Sequence, residues 1–218
     1  MDYNALQSRL IKTNRIVSIP TNFYFNQGIG KFSYNAPEPA EGKKKQKPKF
    51  EINTWVGCLP VFQSKVAGTT MDNRPMIFQE IKEKLARIEG SEAHACLKKD
   101  EQNPYDKNAI QVLVYIEDPD GNEIMRPKMV GFLPKDVAAW VKYMAYFRVG
   151  YKLKFENIRF HSKFPSISLK LTPFVADSKT KTTTHPEEVI ASPTVKNVVG
   201  GSTIEDFRQA LEKKARRK

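Results

Sequence analysis

Residues 103–122 read NPYDKNAIQVLVYIEDPDGN, and this stretch decides the fold. Asn103–Asn108 gathers Pro104, Asp106 and Asn108, residues that favour turns by fixing φ or by bonding to the nearby backbone. From Ala109 to Glu117 the side chains of Ile110, Val112, Val114 and Ile116 alternate with the residues between them. A period of two puts those four on one face of a strand. The run DPDGN, 118–122, then supplies the Asp-Gly chemistry of a tight hairpin. A turn, a strand and a hairpin in sequence predict an antiparallel sheet.

Working outward, Ala93–Lys98 is a strand candidate before the turn, and Met129–Leu133 is the return strand after the hairpin. Arg74–Ile88 carries Ile77, Phe78, Ile81, Leu85 and Ile88 at helical spacing, and Gly90 ends it. Pro134–Tyr146 sets Val137, Trp140, Val141 and Met144 on one helical face. Trp55–Phe62 and Lys65–Thr69 suggest an early strand pair broken around Pro60, and Tyr151–Phe160 and Ser166–Pro173 alternate as strands. Near the N-terminus, Leu6, Leu10, Ile11 and Ile16 suggest a short helix, and Thr21–Phe25 a small aromatic strand ended by Gly28 and Gly30. Residues 35–49 are rich in Pro and Lys with no large apolar side chains, the composition of a linker. After Val175 the chain turns polar, and a last basic helix is expected from Thr203, with Ile204, Phe207 and Leu211 as its apolar stripe. The expected organisation is an N-terminal extension with a linker over 1–49, a domain over 50–177, and a polar linker with a C-terminal helix over 178–218.

Net charge is +12, which points to a polyanionic partner. Its distribution says more. Residues 50–125 hold 8 basic and 13 acidic side chains, whereas residues 126–170 hold 10 basic and 2 acidic. The basic segment interleaves Arg126, Lys128, Lys135, Lys142, Arg148, Lys152, Lys154, Arg159, Lys163 and Lys170 with Phe132, Tyr143, Tyr146, Phe147, Tyr151, Phe155, Phe160 and Phe164. Cations for phosphates and flat rings for bases are what a single-strand binder needs.

The order strand, helix, strand, NPYD turn, strand, hairpin, GFLP, helix resembles the HIRAN domain. That family's signature is N-P-Y-D-x-N-A-I-x-V followed by G-[YFH]-L-P-[KR]-x-x-A. Here the two parts are NPYDKNAIQV at 103–112 and Gly131-Phe132-Leu133-Pro134-Lys135-Asp136-Val137-Ala138. Gly68-Thr69-Thr70 and Arg74 lie upstream, and the resemblance covers about residues 55–175. It implies a mainly β (α+β) fold, a small OB-like β-barrel with one or two packed helices, here with extended basic tails. It also implies capture of single-stranded DNA at its 3′ end. Carried onto this chain, Tyr105 stacks on a terminal base, Asp106 accepts a hydrogen bond from the 3′-hydroxyl, and Asn103 shapes the turn. Lys135 pairs with a phosphate at the start of its helix. Phe160 or Phe164 supplies a second stacking face, and Lys128, Arg159 and Lys163 add cations. Helicase-fused members have an Arg-Tyr pair where this chain has Thr70-Met71, and Phe132 stands where a hydrogen-bonding His can occur. Both departures remove polar contacts.

Plainer roles exist for the same residues. Tyr105 is then a lid on the core, and Lys135 an ordinary helix-opening residue. His94, His161 and His185 are isolated, Cys58 and Cys96 lie far apart, and no zinc spacing occurs. G-x-x-x-x-G-K-[ST], G-x-S-x-G and H-E-x-x-H are all missing. The expectation is no enzyme, no cofactor and no metal. The opening residues lack the apolar run of a signal peptide and no run of about 18 apolar residues occurs, so no membrane partner is expected. The expected location is the cytoplasm of a bacterial or phage-infected cell, or the nucleus of a eukaryotic one. The expected function is a nucleic-acid-binding module for single-stranded DNA and its 3′ end, with RNA as a second ligand class, acting in replication, repair or recombination. The alternative is a non-enzymatic scaffold or accessory subunit of a polymerase- or helicase-type assembly, with tails ordering on the partner.

Overall fold

The computed structural model describes residue 20 and residues 22–39, 41–42 and 48–175. The short helix expected around Leu6–Ile16, most of the Lys43–Lys49 run, and everything expected after Asp177 lie outside the described residues. The elements run β1 (Phe23–Asn26), β2 (Lys31–Tyr34), β3 (Phe50–Val56), β4 (Leu59–Lys65), α1 (Arg74–Arg87), β5 (Glu92–Lys99), β6 (Ile110–Glu117), β7 (Glu123–Phe132), α2 (Lys135–Ala145), β8 (Val149–Arg159) and β9 (Ser166–Val175). The class is the mainly β, α+β, OB-like one expected from sequence.

Strand β6 buries Ile110, Val112, Val114 and Ile116 and leaves the residues between them half-buried, as its alternation predicts. It is the middle strand of a three-stranded antiparallel sheet, β5-β6-β7. A four-stranded sheet, β3-β4-β9-β8, faces the same core. In β8 the buried set runs Val149, Tyr151, Leu153, Phe155 and then Ile158. A bulge between Phe155 and Asn157 shifts the alternation by one residue and keeps Ile158 inside.

The described residues form no closed barrel. The chain beyond β4 bridges the two sheets: Val66 N–H bonds to the Ile167 carbonyl, and Ala67 and Phe132 exchange two hydrogen bonds of 2.8 and 2.9 Å. On the other side β5 approaches β8 without pairing. The bridge explains the glycine of GFLP. A Cβ on Gly131 would fall on the Ala67 carbonyl oxygen and the Val66 side chain, so only glycine lets the strands meet there.

Three boundaries differ from the sequence reading. The early strand pair turns at Gly57-Cys58, with Gly57 at φ 61°, and Pro60 sits inside β4 opposite Trp55. A strand admits proline where the ladder does not call on its nitrogen. The return strand begins at Glu123 rather than Met129. Pro127 and exposed Arg126 mask its alternation, and β7 is an edge strand that tolerates both. Residues 23–34, read as extension ahead of the domain, form the β1–β2 hairpin and enter the common core. Phe23 and Phe32 pack on Trp140 of α2 with ring centroids 4.6 and 4.8 Å away. Such aromatic contacts each stabilise by about 0.5–1.5 kcal/mol beyond area burial. The fully buried Trp140 donates its indole N–H to the Tyr151 hydroxyl at 2.6 Å, so neither polar atom is stranded inside. Among the described residues no helix is long and apolar enough to cross a membrane.

Candidate nucleic-acid interface

The turn between β5 and β6 is locked by its own side chains. Asn103 Oδ1 accepts the backbone N–H groups of Tyr105 and Asp106, both at 3.0 Å, and its Nδ2 donates to Asp100 Oδ2 at 3.1 Å. Asp106 Oδ1 accepts the Asn108 N–H at 2.9 Å. From α2, Lys142 Nζ donates to the Lys107 carbonyl at 3.0 Å and to Asn108 Oδ1 at 3.1 Å. On this fixed loop Tyr105 is 95% exposed. The lid role for Tyr105 is therefore corrected: none of the described residues covers its ring, and their core closes without it. Asp106 is half-buried, and its Oδ2 accepts no hydrogen bond from the described residues.

Lys135 opens α2 in an exposed position and has no ion pair among the described residues. Lys142 lies seven residues on, two helical turns and about 10 Å along the same stripe. The neighbouring Asp136 is engaged by the hairpin, accepting from Asn22 Nδ2 at 3.1 Å and from the Tyr34 hydroxyl at 2.6 Å. Burial and the adjoining Asp136 carboxylate hold the Tyr34 phenol well above its ordinary range.

A second cluster forms where two loops meet. Thr69 Oγ1 donates to the Pro165 carbonyl at 2.6 Å, tying the Gly68–Asn73 loop to the β8–β9 loop. Thr70 and Met71 are exposed on the first loop, Met71 by 56%. On the second, His161 Nδ1 accepts the N–H groups of Lys163 and Phe164 at 3.1 and 3.0 Å. That clasp holds Phe164 outward, 70% exposed, with its ring 5.6 Å from the imidazole. Of the two stacking candidates, Phe164 presents a face to solvent, while Phe160 is half-buried against the core. Arg159 and Lys163 are exposed. Lys128 belongs elsewhere: both Glu80 carboxylate oxygens hold its Nζ, at 2.8 and 2.6 Å, on the α1 side of the molecule.

Phe132 joins the two clusters. It sits in register with Gln111, which faces Lys98, so the three share the face opposite the buried Leu97-Val112-Gly131 row. The Arg74 guanidinium lies 5.3 Å from the Phe132 ring centroid and donates to the Gly68 carbonyl at 2.5 Å. Ala67, Phe132 and Gln111 lie on neighbouring strands, which puts about 10 Å between the Gly68 loop and the base of the Tyr105 turn. Sequence reasoning left Arg74, Lys142 and His161 out of the site. The seven-residue spacing from Lys135 was a usable signal for Lys142. None existed for His161, whose ring acts on its own loop.

The groups with enzyme-like chemistry are placed otherwise. Burial pushes the Cys58 and Cys96 thiols up, away from the thiolate that reacts. His94 is buried with Nε2 3.3 Å from Glu117 Oε2 and stacks on Tyr115. Among the described residues no group of three or more His, Cys, Asp or Glu side chains is placed to hold a metal ion.

No curated protein and no solved structure matches the chain. A family model matches residues 59–159, the span from the start of β4 to the end of β8, with the NPYD turn and GFLP inside it. By that match the chain carries a HIRAN domain, a DNA-binding module.

Proposed function

We propose that this chain is a non-enzymatic module that binds single-stranded DNA at its 3′ end, through the Tyr105 turn, in replication, repair or recombination. The observation that carries this reading is the nearly complete exposure of Tyr105 on a turn held rigid from both sides. A ring held in water on a fixed backbone offers a stacking face with little entropy left to lose. Asp106 Oδ2 is the acceptor for the terminal hydroxyl, since Oδ1 is used by the turn. Lys135 and Lys142 line the helix beside the turn and meet the first phosphates. Phe164 and Met71, across Phe132, take a base further from the terminus.

The test is a fluorescence titration with oligonucleotides that differ only in ending with a 3′-hydroxyl or a 3′-phosphate. The hydroxyl end should bind tighter by at least about tenfold, the worth of a hydrogen bond to a charged group. Asp106→Asn keeps an acceptor for the Asn108 N–H and should level the two ends. Equal, weak binding that vanishes at physiological salt would sink the reading.

A further inference from the structure

We propose that the outward face of the four-stranded sheet is a track for the sugar–phosphate backbone of the strand that leaves the Tyr105 site. The inner residues of β4, β8 and β9, such as Phe62, Leu153, Phe155, Leu169 and Leu171, are buried in the core. The alternating residues face out, and the register sets them in rows. Lys152 stands opposite Thr172, Lys154 opposite Lys170, Asn157 opposite Ser168, which on its other side faces Lys65, and Arg159 opposite Ser166. Five cations thus share one face. One acid lies within the face and one at its edge: Glu156, between Lys154 and Asn157 on β8, reaches across β9 to accept from Gln63 Nε2 at 3.2 Å, and Glu51 stands beyond Gln63 on the far strand.

The Lys154–Lys170 pair is what points to a ligand. Directly opposed like charges across a ladder destabilise a sheet. Neither lysine has an ion pair among the described residues, and Lys154 is exposed. Glu156, held by Gln63, is one carboxylate among five cations, and a local rule broken with so little compensation marks a place where something outside the fold supplies the rest. An anionic backbone does so for every cation on the face at once. The position fits as well. The face begins at Arg159 and Ser166, beside the loop that holds Phe164 and that Thr69 ties to the Gly68 loop. It runs about 20 Å along β8 to Lys152, whose Nζ lies 5.8 Å from the Phe174 ring centroid.

This inference rests on the proposed end site for its starting point, and the experiment separates the two. The full chain and its Lys154→Gln/Lys170→Gln variant are titrated with oligothymidylates of about 3 and about 15 nucleotides, each with a 3′-hydroxyl, across about 50–200 mM salt. The short probe should bind both proteins alike. For the long probe the variant's log–log salt slope should be shallower by about 1.4, so that its affinity falls about sevenfold less over that range. Removal of the opposed charges should leave the unfolding temperature equal or higher. A long-probe slope equal to wild type overturns the track, whatever the unfolding temperature. A wild type indifferent to 3′ chemistry, with the slope change intact, sinks the end site and leaves the track standing.

Discussion

The molecule has two Asx-locked turns at opposite ends of β6, and they differ in two respects. At 118–122 the Asp118 carboxylate accepts the N–H groups of Asp120 and Asn122 at 2.9 and 2.8 Å and the Asn122 side chain at 3.0 Å, with Gly121 at φ 83°. That turn is complete with small polar residues. At 103–108 Asn103 and Asp106 do the same work, yet the loop also holds Tyr105 in solvent and is braced by Lys142 from a helix. The hairpin at 118–122 shows that turning the chain here needs neither an aromatic ring nor a cationic brace. What the Tyr105 turn has in excess is available for a ligand.

Variants break or sharpen this contrast. Tyr105→Ala should have the largest effect. Affinity for a 3′-hydroxyl oligonucleotide should fall about 5- to 150-fold, the loss of one stacked base at ~1–3 kcal/mol, with no change in thermal unfolding. A lowered unfolding temperature with unchanged affinity would make the ring structural. Asn103→Ala removes the two hydrogen bonds that close the turn, so it should cost about 1–2 kcal/mol in denaturant unfolding and weaken binding through the loosened loop. Asp118→Ala should lower the unfolding temperature less than Asn103→Ala does and leave affinity alone. The Asn122 side chain and the turn's N–H groups hold the Asp118 carboxyl below its usual range. A depressed folded-state pKa means the stabilisation is present at neutral pH and fades as pH drops through that folded value. The gap between wild type and Asp118→Ala should therefore narrow below about pH 4 in pH-dependent melting curves.

Local chemistry was legible in the sequence. The alternation of β6, the DPDGN hairpin, the apolar faces of both helices and the turn around Tyr105 all follow from residues a few positions apart. What escaped depends on residues far apart in the chain. Lys128 looked like a ligand for phosphate until Glu80, on a distant helix, came to meet it. The hairpin of Phe23 and Phe32 looked peripheral because its partner, Trp140, lies over a hundred residues later. The opposition of Lys154 and Lys170 exists only once β8 and β9 are in register. Even the exposure of Tyr105 is a tertiary fact, since the same turn residues serve equally well under a lid.

The pairing order β3-β4-β9-β8 has a practical corollary. A recombinant fragment cut at 59 and 159 would end before β9, the strand that lies between β4 and β8 and holds them in one sheet. It would also shed the aromatic pair that shields Trp140. Protein chemistry on this family signature should therefore start no later than the hairpin and run past Val175. A shorter piece would open a sticky seam down its middle, and its poor behaviour would say nothing about DNA.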